Sequence, residues 1–338
     1  MHVVTPRRTA HGRSSLAQAG LGVGYAPAHH GELLQGMFQD SAGRFRRALV
    51  TLPYPDRGSR AVFRPSQSHW GIVGTPDLIK VRRAALVALR EFSSQPSPAK
   101  GGQIEITSDI QHGIGMGSST SDVTATIRAI ADYYRVPLQP EDVARLAVLA
   151  ECAADSIMIE NRVVLFAHRE GVVLETLGHR LPPMIVVGCD ARPGAIVDTL
   201  GLTPAEYDDH ELGAFSALRG ALRRAIATED VALLGRVATA SARINQRFVP
   251  SPLFEPLLEL CLSNGGAGVQ VAHSGTVAGL IFDARSPGVE LAVRRVLDGI
   301  GELGLTLTAA IGPGNVSDLI EPAGDRPLAH VDVGAPVG

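Results

Sequence analysis

Gly113-Ile-Gly-Met-Gly-Ser-Ser-Thr-Ser-Asp122 is the segment of this chain best equipped to hold an anion. Gly113, Gly115 and Gly117 stand at alternate positions, and the hydroxyl residues Ser118, Ser119, Thr120 and Ser121 follow at once. Glycines let a main chain adopt positive φ and come close to a ligand. Val123, Ile127, Ile130 and Tyr134 then keep helical period, so the run opens a helix whose first N–H groups and dipole favour negative charge. The hydroxyls add donors and are oxygen ligands of the kind Mg2+ takes. Together, Gly113, Gly115, Met116, Gly117, Ser118, Ser119 and Thr120 make a phosphate cradle that needs no lysine. A glycine-rich turn with a Ser/Thr helix cap would explain the glycines, but not four hydroxyls in a row. Lys80 and Lys100 are the two lysines of the chain and neither follows these glycines, which excludes a Walker A loop. A dinucleotide fingerprint fits worse, because the spacing is G-x-G-x-G and no acid closes a strand about 20 residues further on.

Three other segments carry reactive side chains. Glu151 and Asp155 lie four apart at the end of the next helical pattern, among Ala150, Cys152, Ala153, Ala154 and Ile157. If the helix continues, that spacing puts both carboxylates on one face. One would then hold Mg2+ while the other accepts a proton from a substrate hydroxyl; taken alone, the stretch fits an ordinary solvated pair at a helix end better. Tyr25-Ala-Pro-Ala-His-His-Gly-Glu32 places His29 and His30 in what reads as a loop. Adjacent histidines with no further Cys/His cluster fit polar surface better than a metal site. Gly265-Gly-Ala-Gly-Val-Gln-Val-Ala-His-Ser-Gly275 sets glycines on both sides of a short strand, as a tight hairpin does, and His273 alone reads as a structural histidine.

The elements that must position these groups fall into two sets. In the first, Val23–Ala26 and Arg47–Thr51 are short strand candidates. Thr75-Pro76-Asp77 starts a helix that runs to about Glu91, Gln103–Thr107 alternates as a strand, and Pro140-Glu141-Asp142 opens the helix before Glu151. In the second, Met184–Cys189 is a buried strand, followed by helices over Glu211–Ala227, Glu229–Gln246 and Glu255–Ser263. Strands Val269–Ala272 and Val277–Phe282 are joined by His273-Ser274-Gly275-Thr276, and helix Gly288–Ile300 leads to strand Leu305–Ala310. Strand, helices, strand, strand, helix, strand is the split βαβ, ferredoxin-like order. The chain is expected to divide near Leu181-Pro182-Pro183 into two α+β domains, 21–181 and 182–321, with a disordered leader over 1–20 and a Pro/Gly-rich tail over 322–338.

Composition narrows the classes. The formal charge of −3 argues against a general nucleic-acid binder. No apolar run approaches the ~20 residues a membrane helix needs, and the N-terminal segment lacks the apolar core of a secretory signal. A cytoplasmic protein is expected. Cys152, Cys189 and Cys261 sit in apolar surroundings without a C-x-x-C, and are expected to be small buried hydrophobes in a reducing compartment.

The four segments, in this order, resemble the GHMP kinase superfamily of small-molecule kinases. Its second motif, P-x-x-x-G-[LM]-[GA]-S-S-[AT], stands here as Gln111-His-Gly-Ile-Gly-Met-Gly-Ser-Ser-Thr120, with Gln111 for the usual proline. Its first motif is matched by Pro27 and Gly31-Glu32, and its third by Gly265–Gly279. Within the superfamily the chain is most similar to the L-threonine kinases of cobalamin side-chain biosynthesis. Pro27-Ala28 with Gly31-Glu-Leu-Leu-Gln-Gly36, Glu151 with Asp155-Ser156, and Val271-Ala-His-Ser-Gly275 carry that likeness. It departs where His29-His30 replaces a smaller pair, Gly117 replaces Ala, and Cys152-Ala153-Ala154 replaces Pro-Thr between the acids.

The resemblance implies an N-terminal domain like the second domain of ribosomal protein S5 and a ferredoxin-like C-terminal domain. It implies that ATP lies on the Gly113–Ser119 loop, that Ser119 (or Ser118) and Glu151 bind Mg2+, and that Asp155 is the catalytic base. Glu32, His29, His30, His273 and Ser274 would face the acceptor, a small hydroxy amino acid, expected to be L-threonine; a homodimer is also expected. Two alternatives remain at this point: another acceptor such as homoserine or serine, and a non-catalytic metabolite binder.

Overall fold

The computed structural model describes residues 20–68, 70–74, 79–95, 99–111, 113–194, 205–313 and 316. The leader up to residue 19, the tail over 322–338 and the helix start Thr75-Pro76-Asp77 lie outside the described residues.

Two long strands carry the first half. β1 (Gly22–Gln39) and β2 (Phe45–Ser66) pair antiparallel, with register shifts at Pro27/Ala28, His29/Glu32 and Glu32/Leu34. The sequence suggests only Val23–Ala26 and Arg47–Thr51 here, because Pro27, Gly31, Pro53 and Pro55 break the alternation. The strands take up those residues at irregularities instead of ending there. The segment with His29 and His30, expected as a loop, is thus the irregular middle of a strand. The histidines are 1% and 0% exposed, so the polar-surface reading is wrong for both.

β3 (Gly71–Val73) and β4 (Gly101–Ser108) extend this sheet beyond β2. α1 (Ile79–Glu91), α2 (Ser118–Tyr134) and α3 (Pro140–Glu151) bury their apolar sides with it, in a core that includes Phe63, Ile104, Ile127, Ile130, Leu146 and Phe166. β5 (Val163–Ala167) and β6 (Val172–Gly178) form a hairpin attached to β2 at Leu49↔Phe166. β3, β5 and β6 were not foreseen. β3 is three residues long, and Val-Val-Leu-Phe-Ala of β5 is apolar throughout, without the alternation that marks a half-buried strand.

The second half follows the anticipated order within a residue or two at each end. It runs β7 (Met184–Asp190), α4 (Asp209–Ala227), α5 (Val231–Asn245), α6 (Phe254–Ser263), β8 (Gly268–Val271), β9 (Val277–Asp283), α7 (Val289–Glu302) and β10 (Leu307–Ile311). α4 starts in a capping box, Asp208 accepting from Glu211 N and Glu211 from Asp208 N. The strand order β10-β7-β9-β8, with every neighbour antiparallel, is ferredoxin-like. β8 also meets β1 at Glu32↔Val271, so the two halves share one sheet, β10-β7-β9-β8-β1-β2-β4-β3. The class is α+β as expected.

Cys189 and Cys261 are buried, and burial pushes their thiols up to about 12 and about 11. Cys152 corrects the expectation: it is exposed, and at φ 69 it ends α3 in the left-handed region. No helix among the described residues is long and apolar enough to cross a membrane.

The joint between halves rests on α4 and α5 against β1, where Leu33, Leu34 and Phe38 meet Phe215, Leu222 and Leu234. Phe215 is 1% exposed, with its ring centroid 5.7 Å from that of Phe38, tilted, and 4.8 Å from that of Tyr207, edge to face. Phe215→Ala is expected to lower unfolding free energy by about 3–5 kcal/mol, measured by urea denaturation. A loss under about 1 kcal/mol would mean that this joint is not packed as described.

Candidate active site

Gly113, Gly115 and Gly117 take φ of 81°, 79° and 70°, so the alternate glycines are three left-handed steps that bring the chain into α2. Gly115 and Gly117 also lie too close to their neighbours for a side chain. A Cβ at Gly115 would fall 2.2 Å from Thr276 Oγ1, and one at Gly117 would fall 2.1 Å from His29 Cδ2. The loop is therefore wedged between β1 and the turn that joins β8 to β9.

The N-cap of α2 is Gly117 itself, with no side-chain cap, and the first helical bond is Ser121 N to Gly117 O at 2.9 Å. The N–H groups of Ser118, Ser119 and Thr120 have no helical partner. The hydroxyls are not spent on capping. Ser119 Oγ donates to Glu151 Oε2 at 2.8 Å, Thr120 Oγ1 to Asp155 Oδ2 at 3.4 Å, and Ser121 Oγ to the Pro27 carbonyl at 2.7 Å. The turn-and-cap reading of this segment fails on that geometry.

The bare helix start opens on a cleft of about 320 Å³, lined also by His29, Lys80, Glu151, Asp155, His168, Arg169, His273 and Ser274. Glu151 and Asp155 reach it differently from the expected single helix face. α3 stops at Glu151, Cys152 turns the chain, and Asp155 heads a 3-10 turn, Ser156–Met158. Neither acid is an ordinary solvated group: their side chains are 1% and 13% exposed. Met116 is buried beneath the loop, and its carbonyl accepts from His29 N.

Each buried charge has a partner. His29 Nε2 lies 2.9 Å from Asp155 Oδ2. Burial disfavours the imidazolium, but the Asp155 carboxylate outweighs it and raises the His29 pKa. Burial likewise works against the Asp155 carboxylate, yet His29, and after it His273, hold its pKa well below the usual range. Glu32 accepts from His273 N at 2.6 Å, with His273 Nδ1 at 3.2 Å. Glu151 is pushed up to about 7 by burial, against the pull of Lys80 Nζ at 3.6 Å and of the Ser119 and Thr120 hydroxyls. Its Oε1 is buried without a hydrogen-bond partner. Burial, and then the charge of His273, takes His168 down to about 3.

The structure thus brings His29, Ser118, Ser119, Thr120, Glu151, Asp155, His273 and Ser274 to one cleft. Glu32 stands behind His273. His30 does not line the cleft: it is sealed in the sheet, with Thr308 Oγ1 2.8 Å from Nε2 and Gln270 Nε2 2.8 Å from Nδ1, and burial lowers it to about 3. Ligand atoms of His29, Glu32 and Asp155 lie within 4.8 Å of one another. His29 is paired with Asp155 and Glu32 with His273, so ion pairing accounts for that cluster without a metal. Sequence reasoning missed Lys80, His168 and Arg169. The scarcity of lysine was a signal for Lys80, whereas His168-Arg169 looks like any polar hairpin turn.

The Glu32–His273 pair has a definite pH signature. Burial lowers the His273 pKa and Glu32 raises it further, to about 9. A histidine raised in the folded state contributes stability that is whole below its unfolded value of roughly 6.5 and fades as pH rises through the folded one. Histidine NMR should show His273 still protonated at pH 8. In Glu32→Gln, Asp155 alone still opposes burial and Arg169, so the midpoint should fall well below that of the native protein; a midpoint unmoved by that change would break the assigned pairing.

Residues 80–159 match the family described as GHMP kinases N terminal domain, and residues 221–299 match GHMP kinases C terminal. The chain is 29% identical over 280 residues to an L-threonine kinase of Citrobacter freundii, covering 78% of this chain and 87% of that one. It is 27% identical over 281 residues to an L-threonine kinase of Salmonella typhimurium, covering 78% and 83%. A homoserine kinase from Cytophaga hutchinsonii shares the fold at a TM-score of 0.61 and 17% identity, over 87% of this chain and 95% of that one. A phosphomevalonate kinase from Streptococcus pneumoniae does so at 0.63 and 12%, over 86% and 99%. The first matched segment holds the helix start, Glu151 and Asp155, the second holds the helices and strands behind His273, and the chain belongs to the GHMP kinase family.

Proposed function

We propose that this protein transfers the γ-phosphoryl group of ATP to the hydroxyl of L-threonine. The observation that carries the reading is a helix start with three unbonded N–H groups facing the same cleft as a proton-accepting carboxylate. The relatives named L-threonine kinase support the choice of acceptor.

The N–H groups from Gly115 to Ser119 hold the phosphates. Ser119 and Glu151 fit a hard divalent cation, since Glu151 keeps one buried oxygen unpartnered and turns the other to the Ser119 hydroxyl. Bound there, Mg2+ would neutralise charge on the transferring phosphoryl group. Asp155 takes the proton of the acceptor hydroxyl, whose oxygen forms the new bond to phosphorus as the bond to the ADP oxygen breaks. An alcohol is a weak nucleophile, so positioning supplies most of the acceleration and base catalysis adds ~10²–10⁴-fold. Lys80 and Arg169 add positive charge at the cleft walls. Glu32, through His273, and Ser274 shape the acceptor side.

ADP release across a panel of hydroxy amino acids should rank L-threonine first; if threonine is among the slowest, the acceptor is wrong. Nucleotide binding with no turnover on any acceptor would make the protein a binder. By ³¹P NMR, Asp155→Ala should slow O-phosphothreonine formation ~10²–10⁴-fold, and a fully active variant would remove Asp155 from the role of base. Glu151→Gln should raise the Mg2+ concentration for half-maximal activity by about tenfold or more.

A further inference from the structure

The phosphotransfer reading gives His29 no role. His29 is 1% exposed and lines the cleft beside Asp155. Its ring fills the space that a side chain at position 117 would need, because a Cβ on Gly117 would lie 2.1 Å from His29 Cδ2 and 2.3 Å from Nε2. Its own N–H reaches the Met116 carbonyl at 3.4 Å, so strand and phosphate loop are tied at this point. These are also two of the places where the sequence departs from the threonine kinases it resembles, with a larger residue at 29 and a smaller one at 117. The structure shows the two departures to be one exchange of volume. His30 makes a similar exchange, a Cβ on Gly188 falling 2.3 Å from its Nε2, but its ring is locked to Thr308 and Gln270 away from the cleft and acts as packing.

Asp155 is held asymmetrically. Oδ2 faces His29 Nε2 at 2.9 Å and the Thr120 hydroxyl at 3.4 Å, and Oδ1 has no hydrogen-bond partner among the described residues. We propose that His29 is a positioning residue for phosphotransfer: it clamps Asp155 through Oδ2 so that Oδ1 is presented to the acceptor hydroxyl, and Gly117 is the notch that admits the imidazole. The proton of that hydroxyl passes to Oδ1, the hydroxyl oxygen bonds to the γ-phosphorus, and the electron pair of the broken bond leaves on ADP. This assignment rests on the kinase reading and adds to it the residue that sets up the base.

The charged neighbours are defined. His29 reaches Asp155 from β1, His273 from the β8–β9 turn, and His168 from the end of β5; Glu32 lies beside His29 and His273, Glu151 lies across the cleft, and Arg169 acts on the His168–His273 side. Removing the His29 cation therefore raises the Asp155 pKa, and the acid limb of kcat moves to higher pH. His29→Ala should lower kcat about tenfold or more while the KM for ATP stays within about twofold. His29→Gln keeps a donor without the charge, so it should recover part of kcat but keep the displaced acid limb; it also serves if the alanine variant folds poorly.

Gly117→Ala should be severe alone and about fivefold or more milder in the His29→Ala background. The strain of an alanine at this φ is present in both backgrounds and cancels in the cycle. A separate arm needs no turnover: by histidine NMR, Asp155→Asn should drop the His29 midpoint. Multiplicative effects of the two single changes, an unmoved acid limb in His29→Ala, or a His29 midpoint indifferent to Asp155→Asn would each overturn the clamp. Failure of the acceptor panel alone counts against threonine phosphorylation, and the NMR arm still reads the pair.

Discussion

A carboxylate taken out of water must be answered by a donor or a cation, and Glu32 is answered only where the two halves of the protein meet. Its side chain is fully buried, and both its oxygens are engaged by His273, one through the main-chain N–H and one through the ring. Glu32 is also the β1 residue that pairs with β8, opposite Val271. The junction of the sheet and the neutralisation of the charge are thus the same contact. Pulling β1 away from the β8–β9 turn would strand a buried anion, and it would also remove Thr276 and Ser274 from the back of the phosphate loop. The cleft exists because that separation is too costly.

Around this joint the loop gives up local stability for access. A glycine at the helix start, with no side-chain cap, forgoes roughly a few tenths of a kcal/mol that a Ser or Asp cap would supply. α2 can bear the loss because Val123, Ile127 and Ile130 are fully buried, and because Ser121 ties its first turn to the Pro27 carbonyl. The hydroxyls released from capping turn to Glu151 and Asp155, which is where charge has to be handled. Glu151 is set apart from Asp155 by environment rather than by residue type. One is raised by burial beside a single lysine; the other is lowered by histidines. Two carboxylates four residues apart can therefore differ in protonation near neutral pH, as separate roles require.

The legible parts of the molecule were those written in local pattern. The order of the second half follows from apolar period and turn residues such as Asn264-Gly265, and the phosphate loop announces itself by three glycines and four hydroxyls. What stayed illegible depends on distant partners. β1 and β2 contain prolines and glycines that read as strand ends, and only a sheet on both sides of β1 makes a bulged strand cheaper than a break. The burial of His29 follows from the missing side chain at Gly117, nearly ninety residues away, and no spacing rule reports such a complement. Cys152 looked buried because its neighbours are small and apolar, but it occupies a left-handed helix end, which turns its side chain outward.

The distribution of charge explains why a loop without lysine suffices. His29 and His273 have their pKa values raised by a carboxylate, but each is already committed to that carboxylate, Asp155 or Glu32. His168 is held neutral, and Lys80 leans on Glu151. Arg169 at the cleft wall is the cation there without a carboxylate partner among the described residues, so most of the contact with a polyphosphate has to come from main-chain N–H groups and the oxygen site at Ser119 and Glu151. His29 and His273 serve a different purpose: they keep Asp155 ionised in a place where burial alone would protonate it. A base kept ionised by its neighbours stays available to lower pH than an isolated carboxylate would, at the cost of intrinsic basicity. Catalysis in such a site must then depend on how the carboxylate is aimed more than on how strongly it pulls.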